Sequence, residues 1–563
     1  MRPLNGTVRA ALTAILAAAF LSAAVPAAAD APPAPAAVPA PGPSRPNIVY
    51  ILCDDLGYGD LRCLNPERCK IATPNADRLA REGMAFTDAH SGSSVCTPTR
   101  YGILTGRYCW RTRLQQGVLW GYSAPLIPAD RLTVPALLRK HGYHTACIGK
   151  WHLGMTMPTL PGAKLGETAN VTGEGALDPA GVISDGPTTR GFDRYFGISA
   201  SLDMPPFAFI EGDRFTQPPT AVKKFLRAGS AAPDFEAVDV LPTLTQKAVE
   251  YISARADEKR PFFLYLPLNS PHTPIVPGKD WRGRSGLGDY GDFVMETDWA
   301  LGRVLDALDR KGIAGDTLVV FTSDNGCSPH AGVEDLERKG HYPSAQFRGY
   351  KADIWDGGHR IPFLVRWPAV VKPGTRCGQL TCLTDLMATC AEIVGGKLPD
   401  DAGEDSASLL PLLRGEDRPV REAVVHHSVH GRFAVRRGRW KLELCPGSGG
   451  WAKPLDAAAA KEGLPPVQLY DMETDAAETK NLRAERPEVV AELRALLERY
   501  VADGRSTPGA RRANDVAVSI ERRETGGAGG KGGPGAAGGV GGTGGTGKGG
   551  TGGDADKPRN PGP

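Results

Sequence analysis

Residues 47–60 read Asn-Ile-Val-Tyr-Ile-Leu-Cys-Asp-Asp-Leu-Gly-Tyr-Gly-Asp. The apolar run Ile48 to Leu52 is followed almost at once by Asp54 and Asp55, so it reads as a buried strand that ends in acid. A run without polar alternation suits a strand covered on both faces, as in a sheet lying between helices. Three further stretches repeat the pattern. Thr145–Ile148 leads into Lys150 and His152, Phe262–Leu268 into His272, and Leu318–Phe321 into Asp324 and Asn325. Helical periodicity at 73–82, 133–141 and 298–311 fills the intervals and completes the alternation of an α/β fold. In open α/β sheets ligands bind beyond the carboxyl ends of the strands. Four such ends would gather these charged groups into one pocket.

Beyond about residue 420 the pattern changes. Val424, Arg432–Arg436 and Trp440–Leu444 read as short strands, and Glu488–Asp503 as an amphipathic helix with Pro487 at its start. The expected organisation is a signal peptide at 1–29, a linker at 30–46, a catalytic α/β domain at 47–420, a small α+β domain at 421–505 and a linker with a Gly-rich tail at 506–563. Arg2 and Arg9 flank the apolar run Ala10–Val25, and Ala27-Ala28-Ala29 precedes Asp30 as a small-residue cleavage site. That run is shorter than the roughly 20 residues that cross a bilayer. It predicts export, periplasmic or extracellular, with no transmembrane span left after cleavage. The Pro/Ala-rich linker reads as extended chain. The Gly-dominated residues 525–563 offer too little apolar surface to offset ordering entropy. The stretch 155–189, rich in Gly, Pro and Thr, reads as a long loop.

A chain of 563 residues, 41% hydrophobic, exceeds one ordinary core. Its formal charge of +3 leaves no basic field of the kind that nucleic-acid binding needs. Eleven cysteines leave an even number once Cys96 is set aside. In an exported chain that permits disulfides, with closely spaced Cys63 and Cys69 the first candidates; buried free thiols are the alternative.

Asp54, Asp55, Asp324 and Asn325 supply three carboxylates and one amide oxygen. These are hard ligands, suited to Ca²⁺ or Mg²⁺ rather than Zn²⁺. Without a cation such a cluster repels itself and its pKa values rise. Either pair alone would read as a turn or a cap; both at the ends of buried strands point to metal. In Cys96-Thr-Pro-Thr-Arg100, Pro98 fits the first turn of a helix. Cys96 would then stand at that helix's N-terminus, where backbone N–H groups and the helix dipole favour an anion. Taken alone, a cysteine there is an ordinary buried thiol.

The segment Cys96-Thr-Pro-Thr-Arg100-Tyr-Gly-Ile-Leu-Thr105-Gly106-Arg107 resembles the type I sulfatase signature, C-x-P-x-R followed by T-G. Gly149-Lys150-Trp-His152-Leu-Gly154, the opening segment through Asp60, Ser270-Pro-His272, Ser323-Asp324-Asn325-Gly326 and Lys351-Ala-Asp-Ile-Trp-Asp-Gly357-Gly358 are similar to further family segments, in family order. The resemblance runs from about residue 45 to 505. It implies an alkaline-phosphatase-like fold: a large mixed sheet flanked by helices, with a smaller C-terminal α+β domain. It also implies that a separate formylglycine-generating enzyme oxidises Cys96 to an aldehyde, whose hydrate is a geminal diol. One hydroxyl attacks sulfur, and loss of the proton from the other expels sulfate.

Residue by residue, the resemblance makes Asp54, Asp55, Asp324, Asn325 and the diol of residue 96 ligands of a divalent cation, calcium first and magnesium second. Asp324 is also a candidate to take the nucleophile's proton. Arg100 and Lys150 hold the diol and the developing charge. His152 takes the second hydroxyl's proton. His272 and Lys351 face the ester oxygen, and one of them protonates the leaving group. Ser201 is a weaker match to a sulfate contact. Asp356 stands where the family often has Glu. His426, His427 and His430 fit either a pocket entrance or a solvated strand edge. The implied substrate is a sulfated small molecule or glycan, aryl or carbohydrate. Two alternatives stand beside this reading: a phosphate or phosphonate monoester hydrolase of the same superfamily, which also needs a divalent cation and an activated nucleophile, and a non-catalytic binder of sulfated glycans, which would require losses at the site.

Overall fold

The run at 47–54 does become a buried strand, and it lies near the middle of a ten-stranded sheet. A computed structural model describes residues 45–166 and 176–521. The signal segment, all but the end of the 30–46 linker, the middle of the 155–189 loop and the Gly-rich tail lie outside those residues.

In chain order the strands are β1 (Asn47–Asp54), β2 (Met84–Phe86), β3 (Ala89–His90), β4 (His144–Lys150), β5 (Arg194–Ile198), β6 (Ile210–Glu211), β7 (Arg214–Phe215), β8 (Ala221–Phe225) and β9 (Arg227–Ala231). They continue with β10 (Phe262–Pro271), β11 (Thr317–Ser323), β12 (Phe363–Arg366), β13 (Thr375–Cys377), β14 (Thr381–Cys382), β15 (Val424–His427), β16 (Phe433–Arg437), β17 (Trp440–Glu443) and β18 (Gln468–Asp471). The large sheet runs β13-β2-β12-β11-β1-β10-β4-β5-β6-β7. Its centre, β11 through β5, is parallel, and antiparallel pairs enter on both sides. Ile48 of β1 lies opposite Phe263 of β10 and Leu318 of β11, so the apolar runs sit in register and bury one another. Every residue of β10 and β11 is buried, as expected of strands covered on both faces.

Two groups of helices flank the sheet. One comprises α1 (Pro74–Glu82), α4 (Val240–Arg255) and α5 (Asp289–Arg310). The other holds α2 (Cys96–Thr105), α3 (Val134–Lys140) and the helix Leu386–Ile393. Thr133 caps α3 by accepting from Ala136 N–H, the role its type predicts. Helix α5 begins nine residues before the predicted start. Its first turn carries Asp289 and Asp292, which suit a helix N-terminus. Asp292 accepts the N–H groups of Gly283 and Ser285 at 2.6 and 2.7 Å. Asp298 reaches across to accept the orphan N–H groups of Asn75 and Ala76 at the start of α1, at 3.0 and 2.8 Å. These buried acids obscure the apolar period of the first half of α5.

The C-terminal region forms a separate antiparallel sheet, β15-β16-β17-β18, with the helix Pro487–Asp503 packed on it. Leu442, Leu469, Leu493 and Leu497 fill its core, joined by Tyr108 and Trp110 from beyond α2. Strand β18 was not predicted; it is only four residues long, and two of them, Gln468 and Asp471, are polar. Among the described residues no helix is long and apolar enough to cross a membrane. All eleven cysteines are free, so the expected Cys63–Cys69 bridge is not formed. The Cys69 thiol instead donates to the Asp60 and Ile71 carbonyls.

Candidate active site

Four strand ends meet. In the order β11-β1-β10-β4, their carboxyl ends deliver Asp324 and Asn325, Asp54 and Asp55, His272, and Lys150 and His152. The backbone turns sharply there. Asp55 and His152 adopt left-handed φ values of 66° and 57°. For an imidazole-bearing residue that conformation costs of order 1–3 kcal/mol, and such outliers cluster at functional sites. Gly149 (φ 141°) lets β4 close against β10: a Cβ there would lie 1.9 Å from the Pro267 carbonyl oxygen.

Helix α2 is buried along its whole length and begins at Cys96. The Cys96 sulfur lies within 4.8 Å of ligand atoms of Asp54 and Asp324. One turn on, Arg100 sends Nε and Nη2 to Asp324 Oδ2 at 3.0 and 2.7 Å and Nη1 to the Lys150 carbonyl at 3.1 Å. Lys150 Nζ donates to Asp54 Oδ2 at 2.5 Å, and Lys351 Nζ lies 2.7 Å from Asp55 Oδ1. His272 Nε2 stands 3.7 Å from Asp55 Oδ2, and its Nδ1–H donates to the Thr273 carbonyl at 2.6 Å. Asn325 Nδ2 donates to Asp55 Oδ1 at 2.7 Å. Three carboxylates thus face Arg100, Lys150 and Lys351, all of them buried side chains.

The electrostatics are uneven. Burial opposes ionisation of Asp54, but Lys150, His272, Arg100 and Lys351 hold it well below the usual carboxylate range. Asp324 is pushed up to about 6, by burial first and by the Asp54 charge second. Burial works against the Lys351 charge, yet Asp55 beside it keeps that ammonium protonated. Burial pushes the Cys96 thiol up despite Lys150 and Lys351, so an unmodified Cys96 stays a weakly nucleophilic thiol. His152 falls well below its ordinary value, through burial and then through Lys150 and Arg100. It is a neutral imidazole. Its Nε2 faces the Leu119 carbonyl at 2.8 Å and must carry the proton, which leaves Nδ1 as a lone pair with no partner.

The donor set fits a hard divalent cation. Asp54 Oδ1 and Asn325 Oδ1 are buried and accept no hydrogen bond, an arrangement that costs free energy unless something positive sits beside them. Asp54, Asp55, Asp324 and Asn325 offer oxygen ligands, the class that calcium and magnesium prefer.

The cluster brings together every residue of the predicted set except Ser201. Ser201 lies beyond β5, where its buried Oγ has no partner. The adjoining Ser199 carbonyl accepts the His152 N–H at 2.9 Å. Asp356 sits elsewhere, buried and bonded to Arg360 at 2.8 Å and Lys441 at 3.0 Å. His426 and His427 do not stand at a solvated strand edge. Both are buried, and His426 stacks on His359 at 3.7 Å between ring centroids; only His430 is exposed. The Leu119 carbonyl that orients His152 was missed, since a backbone acceptor leaves no mark on residue type.

The sulfatase family profile matches residues 46–396. An N-acetylgalactosamine-6-O-sulfatase of Bacteroides thetaiotaomicron is 34% identical over 505 residues, covering 81% of this chain and 93% of that protein. Human arylsulfatase A is 32% identical over 480 residues, covering 80% of this chain and 87% of its own length. A solved structure described under the metabolism of multiple glycosaminoglycans by Bacteroides thetaiotaomicron matches with a TM-score of 0.70 at 32% identity, covering 81% of this chain and 98% of the other.

Proposed function

This chain belongs to the sulfatase family and is a sulfuric ester hydrolase, and from that premise we propose that it cleaves carbohydrate or aryl sulfates at the cluster around residue 96. In this reading Cys96 is matured to formylglycine by a separate generating enzyme. A divalent cation, calcium before magnesium, is held by Asp54, Asp55, Asp324, Asn325 and residue 96. The observation that carries the reading is the pair of orphaned buried oxygens, Asp54 Oδ1 and Asn325 Oδ1, inside a three-carboxylate cluster beside Cys96.

When bound, the cation supplies Lewis-acid polarisation of a sulfate oxygen. Formylglycine supplies two hydroxyls on one carbon, a nucleophile and a handle for releasing sulfate. The remaining work falls to the chain's own side chains. Arg100, locked by Asp324 and the Lys150 carbonyl, holds its charge fixed against the developing negative charge, with Lys150 beside it. His152 is neutral with Nδ1 free, so it can accept a hydroxyl proton at that atom. His272 has committed Nδ1–H to Thr273, which leaves Nε2 for the ester oxygen; Lys351, kept charged by Asp55, is the second donor there. Ser201 Oγ is an uncommitted donor for a sulfate oxygen.

The likeness to an N-acetylgalactosamine-6-O-sulfatase over nearly the whole of that protein supports a carbohydrate sulfate over a simple aryl ester. Export through residues 1–29 and a division at about residue 420 complete the proposal, the latter supported by the two separate sheets. The test is turnover of an aryl sulfate and the matching aryl phosphate by matured enzyme, before and after chelation. Sulfate should be preferred, chelation should abolish turnover, and calcium should restore it. Preference for phosphate, or activity indifferent to chelation, would contradict the reading.

A further inference from the structure

The wall beside His152 contains an arginine that none of the motifs include. Leu119, whose carbonyl orients His152, is followed by Trp120, and the Arg227 guanidinium lies 5.1 Å from the Trp120 ring centroid. Arg227 opens β9, just after the tip of the β8–β9 hairpin. From there its Nη1 bonds both the carboxylate and the carbonyl of Asp203. Asp203 lies two residues beyond Ser201, in the segment whose Ser199 carbonyl accepts the His152 N–H. Arg227 is therefore tied to the His152 wall from two directions, through Trp120 and through residues 199–203.

The hairpin is held firmly against that wall. Phe207 N–H donates to the Ser230 carbonyl at 2.8 Å, and a Cβ on Gly229 would meet the Pro205 ring at 2.4 Å. At the tip, Leu226 takes a left-handed φ of 81° with its side chain 57% exposed. A bulky residue is rarely held so. Residues 221–231 contain Lys223, Lys224 and Arg227 and no acid. Lys223 is paired with Glu236, while Lys224 is exposed.

The chemistry of the fork decides what this wall can read. Asp203 engages Nη1 alone, and among the described residues Nε and Nη2 hold no bond. A third of the Arg227 side chain, 33%, is exposed, whereas that of Asp203 is 8% exposed. The free Nε–Nη2 edge presents two parallel N–H groups at the spacing of two oxygens of a carboxylate or sulfate. Asp203 and Trp120 fix its direction, so little entropy remains to be lost on binding.

We propose that Arg227 binds a second oxyanion of the substrate, a carboxylate or sulfate on the sugar next to the one that bears the scissile ester. The preferred substrate class is then a polyanionic sulfated glycan rather than an isolated monosulfated sugar. This rests on the carbohydrate reading above.

The test uses matured full-length enzyme and three sulfated disaccharides that differ only on the neighbouring sugar: a carboxylate, the same carbon reduced to an alcohol, or a second sulfate. The wild type should favour the anionic disaccharides over the neutral one by about tenfold in kcat/KM, the scale of one charge-assisted contact. Whichever anion is favoured more identifies the source. Arg227→Ala should bring that ratio to about one, through KM for the anionic substrates. Arg227→Gln, which keeps a polar stem over Trp120, should do the same if the alanine variant folds poorly. An indifferent wild type would overturn the inference. So would a variant that slows all three disaccharides and an aryl sulfate in equal proportion, since Arg227 would then only shape the His152 wall. Turnover of the aryl sulfate but of no disaccharide would instead remove the carbohydrate reading, and the inference with it.

Discussion

Two arginine–aspartate pairs stand on the same stretch of chain, Arg100 with Asp324 and Arg111 with Asp405, and all four side chains are fully buried. Arg111 meets Asp405 fork to fork, with both contacts at 2.8 Å. Its remaining nitrogen donates to the Tyr500 carbonyl and to Asn514 Oδ1, and Asp405 also accepts the Tyr108 N–H. Despite burial, Arg111 and these hydrogen bonds hold the Asp405 carboxyl below its ordinary value. Arg100 instead places two nitrogens on a single Asp324 oxygen. The other oxygen receives only the Asp55 N–H, at 3.2 Å. Around that pair Asp54 Oδ1, Asn325 Oδ1 and His152 Nδ1 have no partner. Buried charge is thus common to both places. Partnerless buried atoms also occur near the second pair, at Trp110 Nε1, Glu404 Oε2 and Ser506 Oγ; what sets the first apart is that its orphaned oxygens belong to the carboxylate cluster beside Cys96, where a ligand can use them.

The contrast can be broken by substitution. Cys96→Ala should reduce turnover by about 10⁴-fold or more, as loss of a nucleophile does, with thermal melting close to wild type. A folded Cys96→Ala variant that keeps its activity would remove residue 96 from the chemistry. Asp405→Ala should do the reverse. It strands Arg111 in the core and should cost about 3–5 kcal/mol of stability, read by denaturant unfolding, while the fraction still folded keeps its kcat. Asp324→Asn should lower cation affinity by at least about 100-fold, taking losses at ligand-supporting residues as the floor, measured by calorimetry; unchanged affinity would contradict the ligand assignment.

The smallest effect is one of pH. The folded carboxyl of Asp405 lies below its unfolded value. Its stabilising contribution is therefore present above the ordinary carboxylate pKa of about 4 and declines as pH falls through the folded value. The melting difference between wild type and Asp405→Asn should be flat near neutrality and narrow in acid. A difference that widens in acid would show that the pair does not hold Asp405 ionised.

Much of this contrast was legible in residue types. Asp54, Lys150, His272 and Asp324 follow apolar runs directly, so a period of pure hydrophobicity and the polar residue that ends it were enough to place them together. The start of α5 was hidden because Asp292 and Asp298 face inward to hold backbone N–H groups, which erases the apolar stripe. Strand β18 is short and half polar. Arg111 and Asp405 are 294 residues apart, and nothing local marks either as buried. The tautomer of His152 depends on a main-chain oxygen and Arg227 on a hairpin without a motif, so neither carries a signal in residue type. Of the two readings of His426 and His427, the solvated edge fails because all four residues of β15 are buried, and such a strand need not alternate.

The most direct test of the account is mass spectrometry of the peptide carrying residue 96, from enzyme purified from a host that contains a formylglycine-generating enzyme and assayed on a sulfate ester in the same preparation. The account predicts that an aldehyde replaces the thiol and that activity follows the aldehyde-bearing fraction. Full activity in protein whose residue 96 is entirely unmodified cysteine would contradict it.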